Sequence, residues 1–151
     1  MTYLIALPSL LCGLAVSAED LRRRRVPRLW IAVGCIAQCA FAAVYGVATG
    51  RPALFAAPLA MAVAAGALQL ALALVRPGAL GFGDVTATLM VGQAVGLFGP
   101  VRFALWWLAM GVLGLLWMWA WRRFDPQRGT RYAGRVPFVP AIVAAGVLAV
   151  L

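Results

Sequence analysis

The acidic residues of this chain are few enough to take one by one: Glu19, Asp20, Asp84 and Asp125. The basic residues are thirteen arginines, with no lysine and no histidine. Without histidine, the usual zinc sites and Ser-His nucleophile arrangements drop out. Cys12, Cys35 and Cys39 lie inside apolar runs with no C-x-x-C spacing, so they read as packed thiols rather than metal ligands. What is left is carboxylate chemistry. Two carboxylates that approach each other can hold one proton between them, one acting as base toward water and the other as acid. Aspartic proteolysis needs that arrangement, and it needs no metal or cofactor.

The elements that must position such a pair are membrane spans. Of 151 residues, 65% are hydrophobic and 11% charged, with a mean hydropathy of +0.96. A soluble domain carries about 25% charged residues. The apolar residues fall in six runs, at about 2–18, 29–47, 53–75, 85–98, 101–121 and 137–151, which predict an all-α bundle of about six transmembrane helices in a single domain, 1–151. The fourth and sixth runs are short for a bilayer and must borrow flanking residues, thin the bilayer locally or sit deep in the bundle. Val16-Ser17-Ala18 resembles a signal-peptidase site, but Met1-Thr2-Tyr3 carries no positive charge and the arginines follow the run, an order that favours a retained span.

The loops set the sidedness. Arg22, Arg23, Arg24, Arg25 and Arg28 lie between runs 1 and 2, Arg76 between 3 and 4, and Arg122, Arg123, Arg128, Arg131 and Arg135 between 5 and 6. Only Arg51 and Arg102 fall on the other side. The positive-inside rule then predicts a multi-pass protein of the cell membrane with both termini extracytoplasmic. Trp30, Trp117, Trp119 and Trp121 fall near the cytoplasmic interface. The net charge of +9 points to anionic lipid headgroups as a partner rather than nucleic acid, because the arginines sit between apolar runs.

This topology brings all four acids to the cytoplasmic side, with Asp20 ending run 1 and Asp84 opening run 4. Carboxylates near hydrocarbon are costly and are functional candidates by default. Each also has a plainer reading. Asp84 could cap helix 4, and Asp20 could pair with Arg22–Arg25; capping and catalysis are compatible at Asp84. Gly81 and Gly83 permit positive φ and the close backbone approach that an extended peptide requires. Gly92 and Gly96 form a G-x-x-x-G for a close helix contact, and Gln38, Gln69 and Gln93 are expected to hydrogen-bond between helices. Glu19 points away from Asp20, and Asp125-Pro126 reads as loop.

Gly81-Phe82-Gly83-Asp84-Val85 resembles the G-x-G-D motif of intramembrane aspartyl proteases, more specifically of the type IV prepilin peptidase family. Asp20-Leu21-Arg22-Arg23-Arg24-Arg25-Val26-Pro27 is similar to that family's first-aspartate motif, and Val136-Pro137-Phe138-Val139-Pro140-Ala141 to its final-helix signature. The three motifs stand in family order on the segment boundaries, and the resemblance covers nearly the whole chain. It implies Asp20 and Asp84 as the catalytic pair, with Gly81, Gly83, Pro27 and Pro137 around the substrate approach. It implies cleavage of the short basic leader of pilin-like precursors at the cytoplasmic face, with no cofactor. Arg28 stands where the family prefers Asn, Thr86 where it often has Lys, and Val139 for Gly, which would narrow the approach. The cysteine-rich segment of bifunctional members is absent, so the resemblance is to the short forms of tight-adherence (Flp) pilus systems and does not extend to N-methylation. The helix field leans slightly toward Asp84 as the base. The alternative is a non-catalytic membrane subunit or small transporter that uses the two aspartates as a proton or cation site.

Overall fold

A computed structural model describes residues 2–75, 80–127, 129–130 and 133–151. Met1, Arg76, Arg128 and Arg131, which entered the sequence reading, lie outside them. A 3-10 turn over Thr2–Ala6 leads into α1 (Leu7–Arg23), followed by α2 (Arg28–Ala48), α3 (Ala53–Val75), α4 (Phe82–Gly96), α5 (Pro100–Phe124) and α6 (Val139–Val150). The fold is the expected all-α membrane bundle, and no strand occurs among the described residues. Four helical stretches, Tyr3–Arg23, Arg28–Ala48, Ala53–Val75 and Pro100–Phe124, are long and apolar enough to cross a membrane. The fourth and sixth runs form helices of 15 and 12 residues. At 1.5 Å per residue these reach about 22 Å and about 18 Å, short of a hydrocarbon core of about 30 Å.

The α4 helix lies inside the bundle, whereas α6 packs between α5 and α1 and leaves Leu148 exposed. From Met90 to Gly96 every residue of α4 is buried, which is the pattern of a helix enclosed on all sides. It packs against α1, α2, α3, α5 and α6. Against α3 the approach is very close: a Cβ on Gly96 would lie 2.9 Å from Pro58 Cα, and one on Gly92 3.2 Å from Ala62 Cα. The G-x-x-x-G therefore seats α4 on the backbone of α3. The longer helices carry the exposed apolar side chains, among them Leu29, Ile36, Leu74, Leu108 and Trp119.

Polar groups tie the helices where the bilayer offers no water. Gln38 of α2 donates to the Ile5 carbonyl at 2.8 Å and accepts from the Ser9 N–H at 3.2 Å, satisfying backbone groups at the start of α1. Gln93 accepts from Cys39 at 3.7 Å, and Gln69 donates to Met110 Sδ at 3.9 Å. Buried Trp106 of α5 donates to the Ile142 carbonyl of α6 at 3.2 Å. Arg102 near the start of α5 donates to the Ala149 carbonyl at 2.9 Å, closing the far end of α6.

The α1 helix runs past its apolar stretch through Glu19, Asp20 and Arg22 to Arg23. Glu19 pairs with Arg23 one turn on, at 3.6 Å. The helix stops at Arg24, which takes the left-handed conformation (φ 51°, ψ 40°) and returns its N–H to the Asp20 carbonyl. Pro27 then supplies the N-cap of α2.

Candidate active site

Asp20 lies in the last turn of α1 and Asp84 in the first turn of α4. Both line one cavity of about 1310 Å³ at the end of the bundle where α1 and α5 finish and α4 and α6 begin. The two carboxylates are close enough to act on each other electrostatically.

The sequence reading made Asp84 a possible N-cap. The N-cap is instead Gly81, and Asp84 occupies the third helical position with its carboxylate reaching back to the Gly81 N–H at 3.0 Å. This is the acidic half of a capping box, and glycine has no side chain to supply the other half. It fixes the carboxylate at the mouth of α4 while leaving part of it facing the cavity.

Asp20 is 7% exposed. Among the described residues its carboxylate makes no ion pair within 4.0 Å, and Arg24 acts on it only through its field. It accepts instead from the backbone N–H of Val139, at the start of α6, at 3.4 Å. Anions are favoured at helix N-termini, so each aspartate has a helix start as its partner.

The glycines of the G-x-G-D do not act through positive φ. Gly81 has φ −82°, and Gly83 lies within α4. Among the described residues the positive-φ glycines are Gly50, Gly99 and Gly134. Close approach is the reason for Gly83, but the approaching group is the chain's own Val26, 2.5 Å from where a Cβ would stand. Gly81, Gly83, Val26, Arg28 and Thr86 line the cavity. Thr86 turns its hydroxyl to the Gly83 carbonyl at 2.9 Å. Pro27 and Pro137 do not line it, although their neighbours Val26, Arg28, Val136 and Phe138 do. Pro137 is buried and its carbonyl accepts from Trp117 at 2.7 Å. Val139 is fully buried and is not part of the wall, so its side chain does not narrow the cavity.

Three features escaped the sequence reading. The Val139 N–H is a backbone group that every residue but proline carries, so no residue type announces it. Gln127 in the loop before α6 donates to the Leu21 carbonyl at 3.0 Å and holds that loop against the end of α1. Arg24 lines the cavity with its guanidinium 4.4 Å from the Trp121 ring centroid. Burial holds Arg24 below its ordinary pKa, while Asp20 and Asp125 act in the opposite direction. The run of four arginines read as a topological signal, as part of a motif and as possible partners of Asp20, and nothing in it singled out the third. Asp125 is loop structure, as expected: it accepts from the Gln127 N–H at 2.8 Å.

Among the described residues no group of three or more His, Cys, Asp or Glu side chains could hold a metal ion. The arrangement offers two carboxylates in one cavity with a surround of arginine and backbone donors. No protein-family model matches the chain, and neither the curated proteins nor the solved structures contain a match.

Proposed function

We propose that this chain is an intramembrane aspartyl endopeptidase that removes the short basic leader of type IV pilin-like (Flp-type) precursors at the cytoplasmic face of the cell membrane. One observation carries the reading: Asp20 and Asp84, 64 positions apart in sequence, line a single cavity at the end of a membrane bundle. The three motif resemblances and the arginine-rich loops at that same end support it.

The substrate's hydrophobic helix lies in the bilayer and its leader junction enters the cavity. One carboxylate takes a proton from water as the water oxygen attacks the scissile carbonyl carbon. The other gives its proton to the amide nitrogen as the C–N bond breaks, leaving a carboxyl and an amine terminus. Each aspartate faces a helix start, so the two share the proton as one unit and either can serve as the base. The positive leader is received outside the cavity by lipid phosphates, since Glu19 is already paired with Arg23. Both termini are then extracytoplasmic.

The test is cleavage of a co-expressed pilin precursor by the wild type, Asp20→Asn and Asp84→Asn, each checked for membrane insertion. Mature pilin from the wild type alone is the expected result. An Asn variant that cleaves at full rate rules out the two-aspartate mechanism. A wild type that leaves every such precursor intact returns the aspartates to a proton or cation site in a transporter or membrane subunit.

A further inference from the structure

Beneath the two aspartates, one turn farther from the cavity mouth, stand two hydroxyls. Ser17 precedes Asp20 by three residues on α1, and Thr88 follows Asp84 by four on α4. At those spacings each hydroxyl shares a helix face with its aspartate. Ser17 is 8% exposed and Thr88 is fully buried. Both hydroxyl oxygens are closed to solvent, and neither has a hydrogen-bond partner among the described residues.

That pairing state is unusual for the setting. A serine or threonine within a helix in apolar surroundings commonly donates to the carbonyl three or four residues back. Thr86 does so with Gly83 at 2.9 Å, while buried Ser9 of α1 donates across to the Gly34 carbonyl of α2 at 3.4 Å. Ser17 and Thr88 make no such bond to their own helices. Alanine and valine would fill the same space without leaving a buried polar atom unpaired.

Side chains three or four apart on a helix stand about 5–6 Å from each other at Cβ. A direct bond between oxygens requires about 2.5–3.0 Å, whereas one water making two such bonds spans roughly twice that. A buried water needs two to four polar partners. A hydroxyl and a carboxylate on one helix face supply two.

We propose that Ser17 and Thr88 are positioning residues that hold water against the aspartates from the interior side, Thr88 beside Asp84 and Ser17 beside Asp20. The peptide then occupies the cavity side, and the water that attacks it is kept on the opposite flank. The hydrolytic role of that water rests on the peptidase reading; the water site itself does not.

The experiment uses the full-length purified protein in lipid bilayers, with Thr88→Val, Thr88→Ser and Ser17→Ala. Infrared difference spectra on acidification are recorded in ordinary and ¹⁸O-labelled water, with Asp84→Asn assigning the carboxyl band. In the wild type a water O–H stretch shifts with the isotope. Thr88→Val abolishes that stretch and moves the Asp84 carboxyl band to higher wavenumber, and Thr88→Ser restores both. Ser17→Ala gives the same loss at the Asp20 band. Against a cleaved precursor, Thr88→Val lowers kcat at least tenfold with KM within twofold, and the thermal midpoint is unchanged or higher. Carboxyl and water bands indifferent to Thr88→Val and Ser17→Ala overturn the proposal, as does a loss confined to thermal stability. If the wild type cleaves no precursor, the spectra still decide the water site, and only the peptidase reading falls.

Discussion

At Gly83 the space that a side chain would need is already occupied. A Cβ there would lie 2.5 Å from Val26 Cγ2 and 2.8 Å from Val26 Cβ. Valine is stiff about χ1 and has no flexible end to swing aside. Overpacking of this kind costs about 1–3 kcal/mol. Gly83→Ala should therefore push the 1–2 loop off the start of α4 and, on the proposed function, lower precursor cleavage by about tenfold, with membrane insertion intact. Adding Val26→Ala should recover most of that loss, because it removes the atoms the new methyl strikes; failure of the double variant to recover would show that Gly83 acts in some other way. The two aspartates were legible in the sequence because acids flanking apolar runs are scarce. The purpose of the glycine beside Asp84 was half legible: close approach was expected, but its source, Val26, lies 57 positions away and carries no mark of it. The Val139 N–H on Asp20 could not be read at all, since a backbone donor becomes distinctive only when the fold brings it to an acceptor.

Between elements, the closest seam is α3 against α4. A Cβ on Gly96 would meet Pro58 Cα at 2.9 Å and its carbonyl oxygen at 3.2 Å, both backbone atoms that cannot rotate away. Gly96→Ala should separate the two helices at that end and cost about 1–3 kcal/mol, read as a lower thermal midpoint in detergent. Gly66→Ala on the facing helix is the matched comparison. Its Cβ would meet Leu89 at 3.5 Å, an ordinary contact, and stability should change little. The helices themselves were legible because apolar runs bounded by arginines and prolines have few other solutions. Their ends were less so. The α1 helix continues through Glu19 and Arg22 to Arg23, since these residues are good helix formers even though they end an apolar run. The first apolar residues instead form a 3-10 turn before Pro8, a difference that hydropathy does not register.

Across the whole molecule, one short helix, α4, stands among longer ones, and the other, α6, packs between α5 and α1. The 25 residues of α5 exceed the 15 of α4 by ten, or about 15 Å of helix length. The shortfall lies at the end where α4 and α6 begin, and the cavity of about 1310 Å³ is found there. Water should therefore reach well below the ends of the outer helices. In a chain with Cys12, Cys35 and Cys39 replaced, a cysteine at cavity-lining Thr86 should react with a charged, water-soluble thiol reagent at least tenfold faster than one at fully buried Ala94. Equal rates would mean that the recess is closed to water. The bond from Val139 to Asp20 has a further consequence, in time rather than in space. Its partners are 119 residues apart, and synthesis at about 5–20 residues per second separates their appearance by roughly 6–24 s. Throughout that interval Asp20 is in place while the helix start that receives its charge has not been made. The proposed centre is therefore complete only once the start of α6 has been made and has docked on the end of α1, well after the helices that precede it in the chain.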